Sequence, residues 1–93
     1  MAEEQTKLQK LAEQKYRAYR EFFTSEQGED ILTDLMKACH YGTTVIGQDP
    51  YQTYYNEGRR SVLLQILETA KMTNKDIRRL QDKMKKEDDA YFN

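Results

Sequence analysis

Cys39 and His40 are the only thiol and the only imidazole of the chain, and they are neighbours. A thiol beside an imidazole is the raw material of a nucleophile. Adjacent residues on a helix point about 100° apart, however, so this pair is badly placed for proton exchange. A zinc site needs four ligands at characteristic spacings, and one Cys with one His supplies no such set. Cys39 therefore reads as a small buried hydrophobe. His40 reads as a residue that interacts with the C-terminal end of helix two, where the helix dipole favours positive charge. Gly42 and Gly47 flank no lysine–serine signature, so the segment between them is not a phosphate-binding loop. No nucleophile–base pair and no paired carboxylates stand out. The expectation is a protein that is not an enzyme and carries no cofactor. A single cysteine cannot form an internal disulfide, in keeping with a reducing compartment.

The second group able to do chemistry lies between residues 49 and 60. It holds Tyr51, Tyr54, Tyr55, Arg59 and Arg60, with Asn56, Glu57 and Gly58 among them. Tyrosine and arginine are contact residues: they offer area, a hydrogen bond and a charge at interfaces. They also stack on nucleobases. The formal net charge of -1 and the nearby Glu57 argue against nucleic acid. Arg78, Arg79, Lys83, Lys85 and Lys86 make a basic stretch. Asp82 and the run Glu87-Asp88-Asp89 dilute it, so it reads as a solvated helix face.

A chain of 93 residues makes one small domain, and 33% charged residues imply a large surface relative to the core. No apolar run approaches the ~20 residues of a membrane span. The acidic start Met1-Ala2-Glu3-Glu4 has no signal-peptide core, so synthesis in the cytosol is expected.

Four helices and one ordered loop are predicted, an all-α bundle. The first helix spans about residues 3 to 23. Leu8, Leu11, Lys15, Tyr19 and Phe22 fall near one face, with Ala12, Tyr16 and Phe23 beside them. Thr24 can cap the next helix, with Gln27 at the capping-box position. Gly28 weakens that first turn and so marks close packing. Ile31, Leu32, Leu35, Met36 and Cys39 form its apolar stripe, which ends helix two near Cys39. Residues 40–48 make an extended loop, turned at Gly42 and Gly47 and pinned to the core by Val45 and Ile46. Thr73 and Asp76 form a capping box for the last helix, whose apolar residues are Ile77, Leu80 and Met84. Residues 1–23 are thus an amphipathic helix, 24–84 a helical core, and 85–93 a flexible charged tail.

Helix three has the clearest start. Asp49 is a strong N-cap, and Pro50 suits the first helical position because its missing N–H would be unpaired anyway. Gln52 can reach back to the cap. At about 100° per residue, Tyr51, Tyr55, Gly58, Val62 and Ile66 share a face that Leu63 and Leu67 widen. That face is expected to pack at the centre of the bundle, with Gly58 letting a neighbouring helix approach. Arg59 falls inside the arc and would pair internally, with Asp30 or Asp34 as partners. Tyr54, Glu57 and Arg60 lie on the less apolar side and form the candidate protein interface.

The strings Phe23-Thr24-Ser25-Glu26-Gln27-Gly28, Gly47-Gln48-Asp49-Pro50-Tyr51 and Asn56-Glu57-Gly58-Arg59-Arg60, with the leucine-rich run after them, resemble a Bordetella phage-type small protein family of tailed bacteriophages. The resemblance covers about residues 22 to 80 and is sharpest from Gly47 to Leu67. The family pattern has Phe where this chain has Tyr55. The resemblance implies a small tailed-phage protein encoded among virion assembly genes, with no catalytic residues to carry over. It points to a virion or assembly protein that binds a larger component, such as the portal, neck or an internal head protein, and it admits a homo-oligomer. A phage regulator acting on a host protein and a nucleic-acid-binding packaging factor are the competing readings.

Overall fold

The computed structural model describes residues 2–92, with side chains from 6 to 90. Four helices follow in order, α1 (Ala2–Thr24), α2 (Glu26–Ala38), α3 (Pro50–Thr69) and α4 (Asn74–Phe92), and there is no strand among the described residues. The protein is a small all-α domain, as its sequence implies.

α1 and α2 meet at one residue. Ser25, not Thr24, is the cap: it takes an extended conformation and its Oγ accepts from the Gly28 N–H at 3.0 Å. Thr24 stays in α1 because its hydroxyl donates to the Arg20 carbonyl at 2.6 Å. The Ser25 hydroxyl also donates to the Phe22 carbonyl, and so does its N–H. That carbonyl lies where a side chain on Gly28 would be. The close packing expected at Gly28 is therefore backbone on backbone.

α3 opens as its sequence predicts, with the Asp49 carboxylate accepting from the Gln52 N–H at 2.8 Å and Pro50 in the first turn. The Gln52 side chain reaches the Gln48 N–H instead of the cap. The loop before it is held by polar contacts. The Asn56 amide donates to the Val45 carbonyl, and the Gly47 N–H donates to the Thr53 hydroxyl. Val45 is half-buried, whereas Ile46 is exposed and pins nothing. Gly42 supplies a turn at φ 78°; Gly47 is not in the left-handed region.

α2 and α3 end alike. The Tyr41 N–H reaches back to the Met36 carbonyl, and the Met72 N–H to the Leu67 carbonyl. Each is the long bond of a Schellman motif, with His40 (φ 60°) and Lys71 (φ 54°) in the left-handed position that glycine usually fills. Lys71 is held there from two sides. Arg20 donates to its carbonyl at 3.2 Å, and its ammonium lies 5.1 Å from the centre of the Tyr16 ring.

Leu32 and Met36 of α2, Leu63 and Leu67 of α3, and Leu80 of α4 form the buried core. Phe23, Leu35, Cys39, Ile66 and Met84 pack against its edge. α2 and α4 run in parallel, joined on the surface by Glu29 to Arg79 at 2.6 Å, Asp30 to Lys83 at 2.7 Å and Lys37 to Asp88 at 2.8 Å. Exposed pairs like these are worth ~0–1 kcal/mol each. Two expectations change here. Arg79 and Lys83 of the basic face reach across to α2, Arg79 while remaining exposed. The segment expected to leave the helix after Met84 continues α4 to Phe92, while Asn93 lies outside the described residues.

The capping box of α4 is complete. Thr73 N–H donates to Asp76 Oδ2 at 3.0 Å, and Asp76 N–H donates to Thr73 Oγ1 at 3.1 Å. Arg20 from α1 adds a 2.8 Å contact to the same carboxylate. The Arg20 guanidinium, then the Thr73 N–H, hold the Asp76 carboxyl at about 2. A carboxylate held below its unfolded pKa stabilises fully above about pH 5 and loses that share as pH falls towards 2. Asp76→Asn is expected to cost about 1–2 kcal/mol near neutral pH, discounted for the half-exposed Arg20. Urea denaturation of both proteins at about pH 7 and pH 2 checks this, since the difference should nearly vanish in acid.

Candidate interaction surface

Most of the α3 face expected to be central is open to solvent, and only its flank of Leu63 and Leu67 and its end at Ile66 reach the core. Tyr51 is 84% exposed and Val62 is 59% exposed, and Tyr55 is also exposed. A Cβ on Gly58 would meet nothing within 4 Å, so Gly58 is not a helix contact. The core instead takes the stripe of Asn56, Leu63 and Leu67, about 100° further round the helix. The reason is that α3 carries apolar side chains around most of its girth. Leu63 and Leu67 meet the leucines of α2 and α4 and Ile66 packs at the core edge, whereas Tyr51, Tyr55 and Val62 look outward.

Arg59 follows that outward stripe. It is exposed and pairs with neither Asp30 nor Asp34; its guanidinium lies over the Tyr55 ring, 5.5 Å from the centroid. Asp30 is taken by Lys83. Tyr54 and Glu57 are exposed and Arg60 is half-buried. Steps of three residues turn each of these about 60° back from the last, so the patch winds around α3 towards the core side.

The open face continues onto α1. Ala18, Tyr19, Phe22, Phe23 and Ile66 line a shallow groove of about 310 Å³ between α1 and α3. Its walls are aromatic: the Phe22 and Phe23 rings meet edge-on at 5.0 Å, and Tyr19 lies 6.0 Å from Phe23. Leu8 and Leu11 extend the exposed apolar line along α1. Sequence periodicity identified these α1 residues as one stripe. It gave no sign that the stripe would meet α3 at Ile66.

A second cleft, of about 320 Å³, is lined by Glu13, Tyr16, Arg17, Arg20 and Lys71. Its cations are committed in part to Asp76 and Tyr16, as described above. Cys39 is half-buried at the core edge, and the left-handed His40 is half-buried beside it. Among the described residues, no group of three His, Cys, Asp or Glu side chains is arranged to hold a metal ion.

All five core residues fall inside one stretch of sequence, residues 19–82, which matches the family described as Bbp19-like phage protein. The chain belongs to that family. The match takes in the joint at Ser25, the loop and the whole of α3. It leaves out the first three-quarters of α1 and the last turns of α4. The Bbp19-like core is thus the interlocked part of the domain, and the α1 extension bearing Leu8 and Leu11 lies beyond it. No curated protein and no solved structure matches the chain. No helix of this Bbp19-like protein is long and apolar enough to cross a membrane, among the described residues.

Proposed function

We propose that this phage protein is a non-enzymatic virion or assembly factor that docks on a larger virion component, such as the portal, the neck or an internal head protein. The observation that carries the reading is surface. The domain exposes 7556 Å², about 1,900 Å² more than the ~5,700 Å² expected of a compact chain of its mass. A standard interface takes about 800 Å² from each partner. A domain this open has area to give to an assembly. Synthesis would take place in the host cytoplasm, with the particle as destination.

Tyr54, Glu57 and Arg60 are the docking residues in this reading. They are one aromatic and two charges of opposite sign on two turns of a rigid helix, the composition of an interface rim with an anchor. Engagement of Arg79, Lys83 and Lys37 in ion pairs with carboxylates weakens the case for nucleic acid, which needs free cations along one face. The test is the triple variant Tyr54→Ala, Glu57→Ala, Arg60→Ala in an infecting phage. Its copy number in purified particles, by quantitative mass spectrometry, is expected to fall at least about tenfold, with the helical circular dichroism of the isolated protein retained. Normal incorporation would overturn the docking role of the patch. Absence of the unaltered protein from particles would favour action on a host protein.

A further inference from the structure

The cleft beside Tyr16 gathers three cations from two elements. Arg17 and Arg20 stand three residues apart on α1, about 4.5 Å along its axis. Lys71 comes from the turn between α3 and α4. Arg17 is exposed and makes no ion pair among the described residues, although Glu13 lies four residues before it, the spacing at which such pairs form on a helix. The contacts of Arg20 with Lys71, Met72 and Asp76 all use Nη1. A guanidinium has five N–H donors, so Arg20 keeps others for a ligand. Lys71 holds a left-handed position (φ 54°) that glycine takes at no steric cost, and its ammonium lies against the Tyr16 wall of the cleft. Asp76 offsets the charge of Arg20 directly. Arg17 and Lys71 share the cleft with no carboxylate bound to either, and an anion placed between them would relieve their repulsion.

We propose that this cleft binds an acidic protein segment, whose carboxylates pair with Arg17, Arg20 and Lys71 and whose backbone N–H groups donate to Glu13. Charge complementarity selects the carboxylates: an arginine fork takes them in two parallel hydrogen bonds, and lysine adds a point charge. Tyr16 gives the aliphatic stems of such a segment an apolar wall. Glu13 decides between a peptide and a nucleic acid. A peptide carries N–H donors that a carboxylate accepts. A phosphodiester backbone offers acceptors only, and it would meet Glu13 with like charge. Nucleic acid also draws its affinity from a longer row of cations than these three. None of Tyr54, Glu57 and Arg60 takes part, so the site stands independently of what that patch binds.

Fluorescence anisotropy of a labelled peptide of alternating Glu and Gly, titrated with the full chain at low salt, is the experiment. The expected result is saturable binding that weakens as salt rises. The same peptide with Gln in place of Glu should bind at least about tenfold more weakly. Arg17→Gln should weaken binding of the acidic peptide at least about fivefold and leave the melting temperature unchanged, because Arg17 is exposed and unpaired. Lys71→Gly separates binding from folding. Glycine suits the left-handed position, so the helical spectrum should be retained while affinity falls by a similar factor. Arg78→Gln removes an exposed cation outside the cleft and should change affinity less than about twofold. No saturable binding, equal affinity for the Gln peptide, full affinity in both cleft variants, or a loss with Arg78→Gln as large as with Arg17→Gln would each overturn the proposal. Inorganic phosphate or a single-stranded DNA that binds more tightly than the peptide and displaces it would assign the cleft to phosphates and overturn it equally.

Discussion

Gly28→Ala is expected to destabilise the domain by at least about 3 kcal/mol, although alanine is the better helix former by about 1 kcal/mol. The added methyl would land on the Phe22 carbonyl oxygen, which already accepts from the Ser25 hydroxyl and N–H. Neither side can yield cheaply. The obstacle is backbone, and the joint between α1 and α2 is a single residue long. Relief requires α1 to swing away, which would pull Phe23 from the core edge. Against a total of roughly 5–14 kcal/mol for a domain of this length, that is a large share. Chemical denaturation measures the loss. Small-angle scattering reads the swing as a departure from the radius of gyration of 16.4 Å. An alanine variant as stable as the parent, or more so, would mean that the joint is not built this way.

The second large effect separates two neighbours. Leu63 is 1% exposed and Val62 is open, one residue apart on α3. Leu63→Asp buries a carboxylate with no partner, at a cost of several kcal/mol, and should unfold the protein at room temperature. Val62→Asp should change the stability of the dilute, single chain by less than about 1 kcal/mol. Thermal melts followed by circular dichroism decide between them. Equal losses in the two variants would place the wrong face of α3 inward.

These two predictions mark where the sequence is readable. Local chemistry is legible where one residue type has one purpose. Asp49 with Pro50, and Thr73 with Asp76, start helices because few other residues satisfy the free N–H groups of a first turn. Leu32, Met36, Leu80 and Met84 fell where a 3.6-residue period puts them. α3 defeated periodicity because it has two apolar stripes, and nothing in a period tells which one meets the neighbours. Tyr51, Tyr55 and Val62 of the longer stripe are exposed, and only its Ile66 end reaches the core edge. The ends of α2 and α3 escaped for another reason. A Schellman turn is usually announced by glycine, and here His40 and Lys71 take the left-handed place. The ion pairs of Arg79 and Lys83 with α2 depend on the parallel course of α2 and α4, which no local pattern specifies.

The interface patch of Tyr54, Glu57 and Arg60 follows from residue type and from its place on the less apolar side of α3, and its exposure is uneven. Tyr54 stands out at 68%, while Arg60 sinks towards the core side. The groove between α1 and α3 could not be read from either helix separately, since it exists only where Phe22 and Ile66 come together.

The principal extents are 56 × 34 × 19 Å. At 10–12 Å per helix with its side chains, the shortest dimension holds two helices and no more. A slab two helices thick has no deep interior, so unfolding it releases little apolar surface to water. Heat capacity follows that surface. The domain's free energy must therefore vary gently with temperature, with a small enthalpy at the midpoint and a broad melt. Steep cooperativity would come only from whatever covers the slab's outer face, because that contact would add the missing third layer.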